Sequence, residues 1–205
     1  MLKAKDQKEK DIRKQQILNS AEVVLQQKGL SGLSISSVAK EAKLAQGTLY
    51  LYFKKKEEII AQLTVRSREQ LLQLFHDSIA ASDDPLEQLK NILLAHFRFF
   101  KENKLYHDLV SFYEVNAEEA EPIELQQASQ NITSLVVSVL DRAKIQGLVR
   151  ANLNASEFTY IVWGTCNGMV QLIDMRSAIL EKDLNKSSSD VYASYVDFVI
   201  KGIRA

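Results

Sequence analysis

Within eleven residues, Gln46, Thr48, Tyr50, Tyr52, Lys54 and Lys56 present an amide, a hydroxyl beside a methyl, two phenols and two ammonium groups. An amide can donate to and accept from a base edge, a methyl can touch thymine, and phenols and ammonium groups suit phosphate. The stretch 44–59, LAQGTLYLYFKKKEEI, therefore suits a DNA groove better than an active site. Wound at about 100° per residue, it turns Leu49 and Phe53 to one side and Gln46, Gly47, Thr48, Tyr50 and Leu51 broadly to the other.

The remaining reactive residue types do not assemble into catalytic chemistry. Glu118, Glu119 and Glu121 form a carboxylate cluster, but beside Pro122 they read as a solvated loop. Cys166 is the single cysteine, so no intrachain disulfide forms, and no Cys/His spacing suits a metal. There is no Ser/His/Asp order with a supporting motif and no glycine loop to cradle phosphate. The expectation is a non-enzyme with no cofactor. A helical enzyme or small-molecule-binding protein without DNA binding is the alternative, and a protein-binding helical module is a third reading.

The elements that position the 44–59 stretch are short and amphipathic. Ile35, Val38, Ala39 and Ala42 fall at i, i+3, i+4 and i+7, with Ser34 as N-cap, and a tight turn around Lys43 to Ala45 follows. A third helix, over about 11–28, carries Ile17, Leu18, Ala21, Val24 and Leu25 and stops at Gly29. Three helices with the last two closely coupled form a helix-turn-helix domain.

The formal net charge of zero conceals a division. Residues 1–57 hold 12 Lys/Arg against 6 Asp/Glu, a net of +6, and the remainder holds 14 against 20, a net of −6. The basic part supplies sequence-independent attraction to phosphate, which the acidic part lacks. The first sixteen residues lack the apolar core of a signal peptide, and no run approaches the roughly 20 apolar residues a membrane span needs. A cytoplasmic protein with no membrane partner is expected.

Two prolines and seven glycines punctuate 205 residues, and no alternating β-branched run appears, so the fold class is all-α with about nine helices. The expected boundaries are a DNA-binding domain over 1–57 and a second helical domain over 58–205. Pro85 and Pro122 read as first-turn prolines opening helices at about 85–102 and 122–147, the second closed by Gly147. Asn154 with Glu157 starts a helix over 155–180, residues 185–189 form a loop, and a final helix spans 190–203. The segment 158–173 is apolar around most of its circumference and carries Gly164 and Gly168 four apart. That helix and the last one are expected to pair with their copies as a four-helix homodimer interface, an ordinary core helix in a monomer being the alternative.

From Ile17 to Glu58 the sequence resembles the TetR family of transcriptional regulators. ILNSAEVVLQQKGL is followed by SISSVAKEAKLAQGTLYLYFKKKEEI, with the G-T-L-Y-x-Y-F-x-x-K-E-E core intact at Gly47 to Glu58. Two residues depart from the pattern: Lys43 where the family often has glycine, and Ala45 where it often has serine or threonine. The resemblance, together with helix geometry, implies that Gln46, Gly47, Thr48 and Leu51 face base edges. Ser36, Ser37, Tyr50, Tyr52, Lys54 and Lys56 would then contact phosphates, although Tyr52 can equally pack against the first helix and the lysine run can be a solvated loop.

The resemblance further implies a dimer reading a palindromic operator, two recognition helices being spaced near 34–36 Å for successive major grooves. It also implies a small-molecule effector held in the second domain, where His96, Phe97, Phe99, Phe100, Tyr106, His107, Phe112 and Tyr113 fall within eighteen residues. Phe97, Phe100, Phe112, Tyr113, Phe158, Tyr160 and Trp163 are the candidate pocket residues, and an apolar lining points to a hydrophobic compound. His96 and His107 are candidates for its polar end, each with an ordinary structural role as the alternative. The whole reads as a ligand-responsive repressor released from DNA by that compound.

Overall fold

The computed structural model describes residues 2–115 and 121–205; the described side chains exclude those of residues 2–6, His107, Ser111 and 113–115. Glu118 and Glu119 lie outside the described residues. Among the described residues nine helices follow one another: α1 (Leu2–Gly32), α2 (Ile35–Glu41), α3 (Gln46–Tyr50), α4 (Lys56–Ile79), α5 (Pro85–Glu102), α6 (Lys104–Val115), α7 (Ile123–Ile145), α8 (Ala155–Leu184) and α9 (Ser188–Ile203). No helix among them is long and apolar enough to cross a membrane. The chain divides into two compact units, one of residues 1–67 and 104–126, the other of residues 68–103 and 127–205.

The first unit is built on the apolar stripe of α1. Ile17, Leu18, Ala21, Val24 and Leu25 pack with Ile35, Val38 and Ala39 of α2, Leu49 of α3, Phe53 between α3 and α4, Ile59, Ile60 and Leu63 of α4, and Leu109 of α6. Arg66 ties α4 to α1, donating to Glu22 at 2.7 Å, Asn19 at 3.0 Å and Gln15 at 2.6 Å. The helix expected over 11–28 instead begins at Leu2. Residues 2–16 carry no apolar stripe, so periodicity is blind to them. They are rich in Lys and Gln, which favour helix intrinsically, and Gln7 donates to Asp11 one turn on. At the other end Gly29 takes φ 64° and breaks the regular winding, as a stop there requires, before a last turn reaches Gly32.

In the second unit α5 packs against α8 and α9, and α8 against α9. Asp84 caps α5 by accepting from the Leu86 amide, with Pro85 in the first turn. Pro122 stands one position before α7, its carbonyl accepting from the Leu125 and Gln126 amides, so it precedes the helix instead of occupying its first turn. Gly147, at φ 70°, closes α7 two residues past its last helical position, with the Leu148 amide returning to the Ala143 carbonyl. Asn154 caps α8 by accepting from the Glu157 amide.

Two further boundaries differ from expectation. Helix α8 runs to Leu184 and ends on Asn185 in the left-handed conformation at φ 50°. The loop expected over 185–189 is shorter, because Ser187 and Asp190 form a reciprocal capping box that starts α9 at Ser188. A run of serines reads as loop, yet the same residues at the right spacing start a helix. The chain end is held by an antiparallel bridge between Val149 and Arg204, with the Arg150 amide on the Ile203 carbonyl.

Candidate nucleic-acid interface and internal cavity

Helices α2 and α3 are joined by a turn in which Lys43 adopts φ 56° and the Leu44 amide returns to the Ala39 carbonyl. Ser34 and Ser37 cap α2 reciprocally, and Ala45 occupies the N-cap of α3 with no side-chain bond to offer. Left-handed Lys43, uncapped Ala45 and Gly47 inside a helix each cost on the order of 1 kcal/mol. Burial of Leu49 and Phe53 contributes roughly 1.5–3 kcal/mol each. The packed side of α3 thus outweighs its local costs, and the fold sets this helix where intrinsic propensity would not.

Gly47 has no intramolecular reason to be glycine: a Cβ built there meets nothing within 4 Å, and its backbone φ is not left-handed. A helix residue that weakens its own helix and makes no close contact within the chain leaves its backbone open to something outside it. Gln46, Tyr50 and Leu51 are exposed beside it, Leu51 by 77%, and Thr48 is half-buried. These residues form one outward surface.

The candidate phosphate contacts are differently placed. Ser36 is exposed, whereas the Ser37 hydroxyl is engaged in the cap, receiving the Ser34 amide and donating to the Gly32 carbonyl. Tyr52 is half-buried against the core of the first unit. The Lys54 ammonium donates to the Tyr50 carbonyl at 2.8 Å, closing the end of α3, and the Lys54 amide donates to Glu58 at 2.8 Å. Lys56 begins α4 and is half-buried. Sequence reasoning did not place Lys8 and Arg13, which the N-terminal extension of α1 holds exposed on a regular helix.

The second unit holds a partly open cavity of about 260 Å³. Its wall includes Arg68 from α4, Ile92 and His96 from α5, Ser129 and Thr133 from α7, and Trp163 from α8. Of the candidate pocket residues, Tyr160 and Trp163 line it, Tyr160 being largely exposed. Phe97 stacks instead on Tyr192, with centroids 4.3 Å apart and planes 13° from parallel. Phe100 is buried and Phe158 half-buried away from this wall, Phe112 packs on the core of the first unit, and the Tyr113 side chain lies outside the described residues, as does that of His107. An aromatic on an apolar stripe carries no mark distinguishing a core neighbour from a cavity neighbour. Arg68 was legible in principle, because it falls on the buried stripe of Ile60, Thr64, Leu71 and Phe75, where a charge is out of place.

Residues 17–63 match the family described as bacterial regulatory proteins, tetR family. The fatty acid metabolism regulator protein of Bacillus subtilis is 25% identical over 167 residues, covering 80% of this chain and 84% of the relative. Among solved structures, the fatty acid degradation regulator FadR of Bacillus halodurans superposes with a TM-score of 0.74 at 21% identity, covering 94% of this chain and 96% of that one. FadR of Bacillus subtilis in complex with stearoyl-CoA gives 0.69 at 21% identity, covering 93% and 99%.

Over residues 17–63 the chain carries the N-terminal domain of the tetR family. It is a DNA-binding transcriptional regulator and not an enzyme, and the outward surface of α3 is the feature of its helix-turn-helix that can meet a duplex.

The cavity is electrostatically unusual for an apolar space. Arg68 is only 8% exposed and donates to the Ser129 hydroxyl. His96 is 3% exposed, and its ring meets Trp163 edge-on at 5.4 Å. Burial lowers the imidazole pKa from 6.5 to about 4, partly offset by the Asn167 side chain, so His96 is neutral at pH 7 and presents one donor and one acceptor. Burial likewise pushes the Cys166 thiol above its ordinary range, against the opposing pull of Tyr192 and Tyr195 hydroxyls, leaving it protonated and unreactive. No group of His, Cys, Asp or Glu among the described residues could hold a metal ion.

Outside the cavity, α8 carries Ile161, Leu172, Met175 and Ile179 exposed on one face together with Gly164, Thr165 and Gly168. Positions 161, 165, 168, 172, 175 and 179 repeat at four and three residues, the spacing of a helix-pairing seam. Phe198 on α9 is 77% exposed. Large apolar side chains contiguous on a surface mark an interaction face.

Proposed function

We propose that this chain is a ligand-responsive repressor that binds a palindromic operator as a homodimer in the cytoplasm and is released by a hydrophobic small molecule. The observation that carries the DNA-binding half is Gly47, a helix-weakening residue with open space around it, flanked by exposed Gln46 and Leu51. Residues 1–57 supply the DNA-binding part, with Gln46, Gly47, Thr48 and Leu51 on base edges and Ser36, Tyr50, Lys54 and Lys56 on phosphates. Ser37 and Tyr52 contribute mainly by holding the surface in place, since one is committed to a cap and the other to the core.

Residues 58–205 supply effector binding and dimerisation. The seam on α8 and Phe198 on α9 support a four-helix interface with a second copy. Helix α4, which contributes residues to both compact units, is the lever. Release requires the effector to bind the DNA-incompetent arrangement better than the competent one.

The experiment is selection of a duplex from a random pool, followed by titration of the selected duplex at two salt concentrations with and without candidate effectors. A selected site without two-fold symmetry, or affinity that does not change across a panel of hydrophobic compounds, would overturn the corresponding part of the proposal.

A further inference from the structure

We infer that the N-terminal extension of α1 is a second DNA-contacting element, in which Arg13 and Lys14 hold the phosphate backbone beside the groove that α3 enters. This rests on the DNA-binding reading of the first unit and adds contacts from residues that lie outside the stretch 17–63 matching the family.

Helix α1 changes character along one face. At about 100° per residue, Ile17, Leu18, Ala21 and Val24 fall on the stripe that packs with α2 and α3. Continued toward the N-terminus, the same stripe passes through Arg13, Lys14 and Lys10. Glu9 and Asp11 fall on either side of it, and Asp11 accepts from Gln7. The face is thus apolar where it meets the helix-turn-helix and basic where it runs past it. Such a face attracts an anion at the edge of the core, and a duplex lying on the outward surface of α3 brings phosphates there.

Two contacts fix where the face emerges. Lys14 stands over the Phe53 ring, its ammonium 5.9 Å from the centroid, and Gln16 donates to the Ala42 carbonyl at 3.3 Å. Ala42 closes α2, and Phe53 follows closely on the end of α3. The root of the extension therefore lies against the C-terminal ends of both helices of the helix-turn-helix. Lys54, Lys55 and Lys56 continue directly from Phe53, so the lysine run and the basic face of α1 converge on one ring.

The side chains suit phosphate. Arg13 is exposed and spends one N–H on Gln16 at 2.8 Å, and since a guanidinium carries five, the rest of its fork can meet phosphate oxygens. Lys14 is half-buried over an aromatic face, which holds its charge in place without neutralising it. Lys10 lies on the same face, but Asp6 precedes it by one turn in the sequence, so the contacts assigned are those of Arg13 and Lys14 alone.

The full-length protein is titrated by fluorescence anisotropy against labelled random-sequence duplexes of about 40 base pairs, between about 50 and 200 mM salt. Arg13→Gln and Lys14→Gln remove the charge and keep a side chain of similar helix propensity, with circular dichroism confirming the native helicity of each. Each should lower the slope of log affinity against log salt by about 0.9 per bound chain, and the double variant by about 1.8. The weakening should be the same on every duplex, because phosphate contacts carry no sequence information. Lys28→Gln, exposed on α1 about 22 Å further along the helix, removes the same charge and should leave the slope unchanged.

An unaltered slope in Arg13→Gln overturns the inference even where Lys14→Gln fails to fold. An equal fall in Lys28→Gln does so too, since the charge would then act at long range and not by contact. Weakening confined to some of the duplexes refutes the phosphate assignment. Unaltered protein that binds duplex with a slope neither variant changes removes the extension and spares the DNA-binding reading, whereas unaltered protein that binds no duplex at low salt removes both.

Discussion

His96 makes the stability of this protein depend on pH in a calculable way. Its folded-state pKa of about 4 lies below the 6.5 of an exposed imidazole, because burial disfavours the charged ring. The unfolded chain therefore binds more protons between these values, and stability falls as pH drops through about 6.5, continuing until the folded pKa near 4. Below that the contribution is fully lost. Applying the linkage relation to these two values, His96 alone removes about 2 kcal/mol between pH 7 and pH 5. His96→Phe keeps an aromatic ring in contact distance of Trp163 but removes the titrating group.

Urea unfolding followed by circular dichroism at both pH values gives the stability of each protein. The unaltered chain should lose about 2 kcal/mol more than the variant over this interval, since other titrating groups are common to both. Parallel losses in the two proteins would show that the imidazole is already solvated in the folded state and that burial does not lower its pKa.

Gln46→Ala should relax base preference at one operator position by about 1–3 kcal/mol, whereas Lys56→Ala should weaken all duplexes alike and reduce the salt slope by about 1. Gel-shift titrations at several salt concentrations separate the two, and equal behaviour of both variants would refute the division into reading and positioning residues. Lys43→Gly relieves a left-handed lysine and should stabilise the fold by about 1 kcal/mol, raising Tm by about 2–4 °C in a chain of this size, as read by thermal unfolding. Ala45→Ser supplies the missing cap of α3 and should add a similar amount. Phe198→Asp places a charge on an exposed position of α9, so it should leave monomer helicity intact while shifting sedimentation from dimer to monomer; an unchanged dimer would move the interface elsewhere.

The 44–59 surface was legible because its packed side and its outward side alternate at helical period, and because Gly47, Lys43 and Ala45 break local rules in one place. The caps at Ser34, Asp84 and Asn154 were legible for a related reason, since each is a local bond between residues close in sequence. Helix α1 was foreshortened and the 185–189 loop overextended where hydrophobic patterning had nothing to report.

What the chain determined by itself is the set of local and periodic features: an all-helical fold, a basic N-terminal part, and a helix-turn-helix whose third helix turns polar residues outward. What only tertiary structure decided is which side chains share the cavity. Arg68, His96, Ser129 and Trp163 are separated by tens of residues and meet only when four helices pack. Phe97 and Phe112, equally aromatic and equally on apolar stripes, are drawn elsewhere by Tyr192 and by the core of the first unit. The physical reason is that a helical stripe states which face is buried and not what it is buried against, and the partner across the contact is chosen by packing between distant segments.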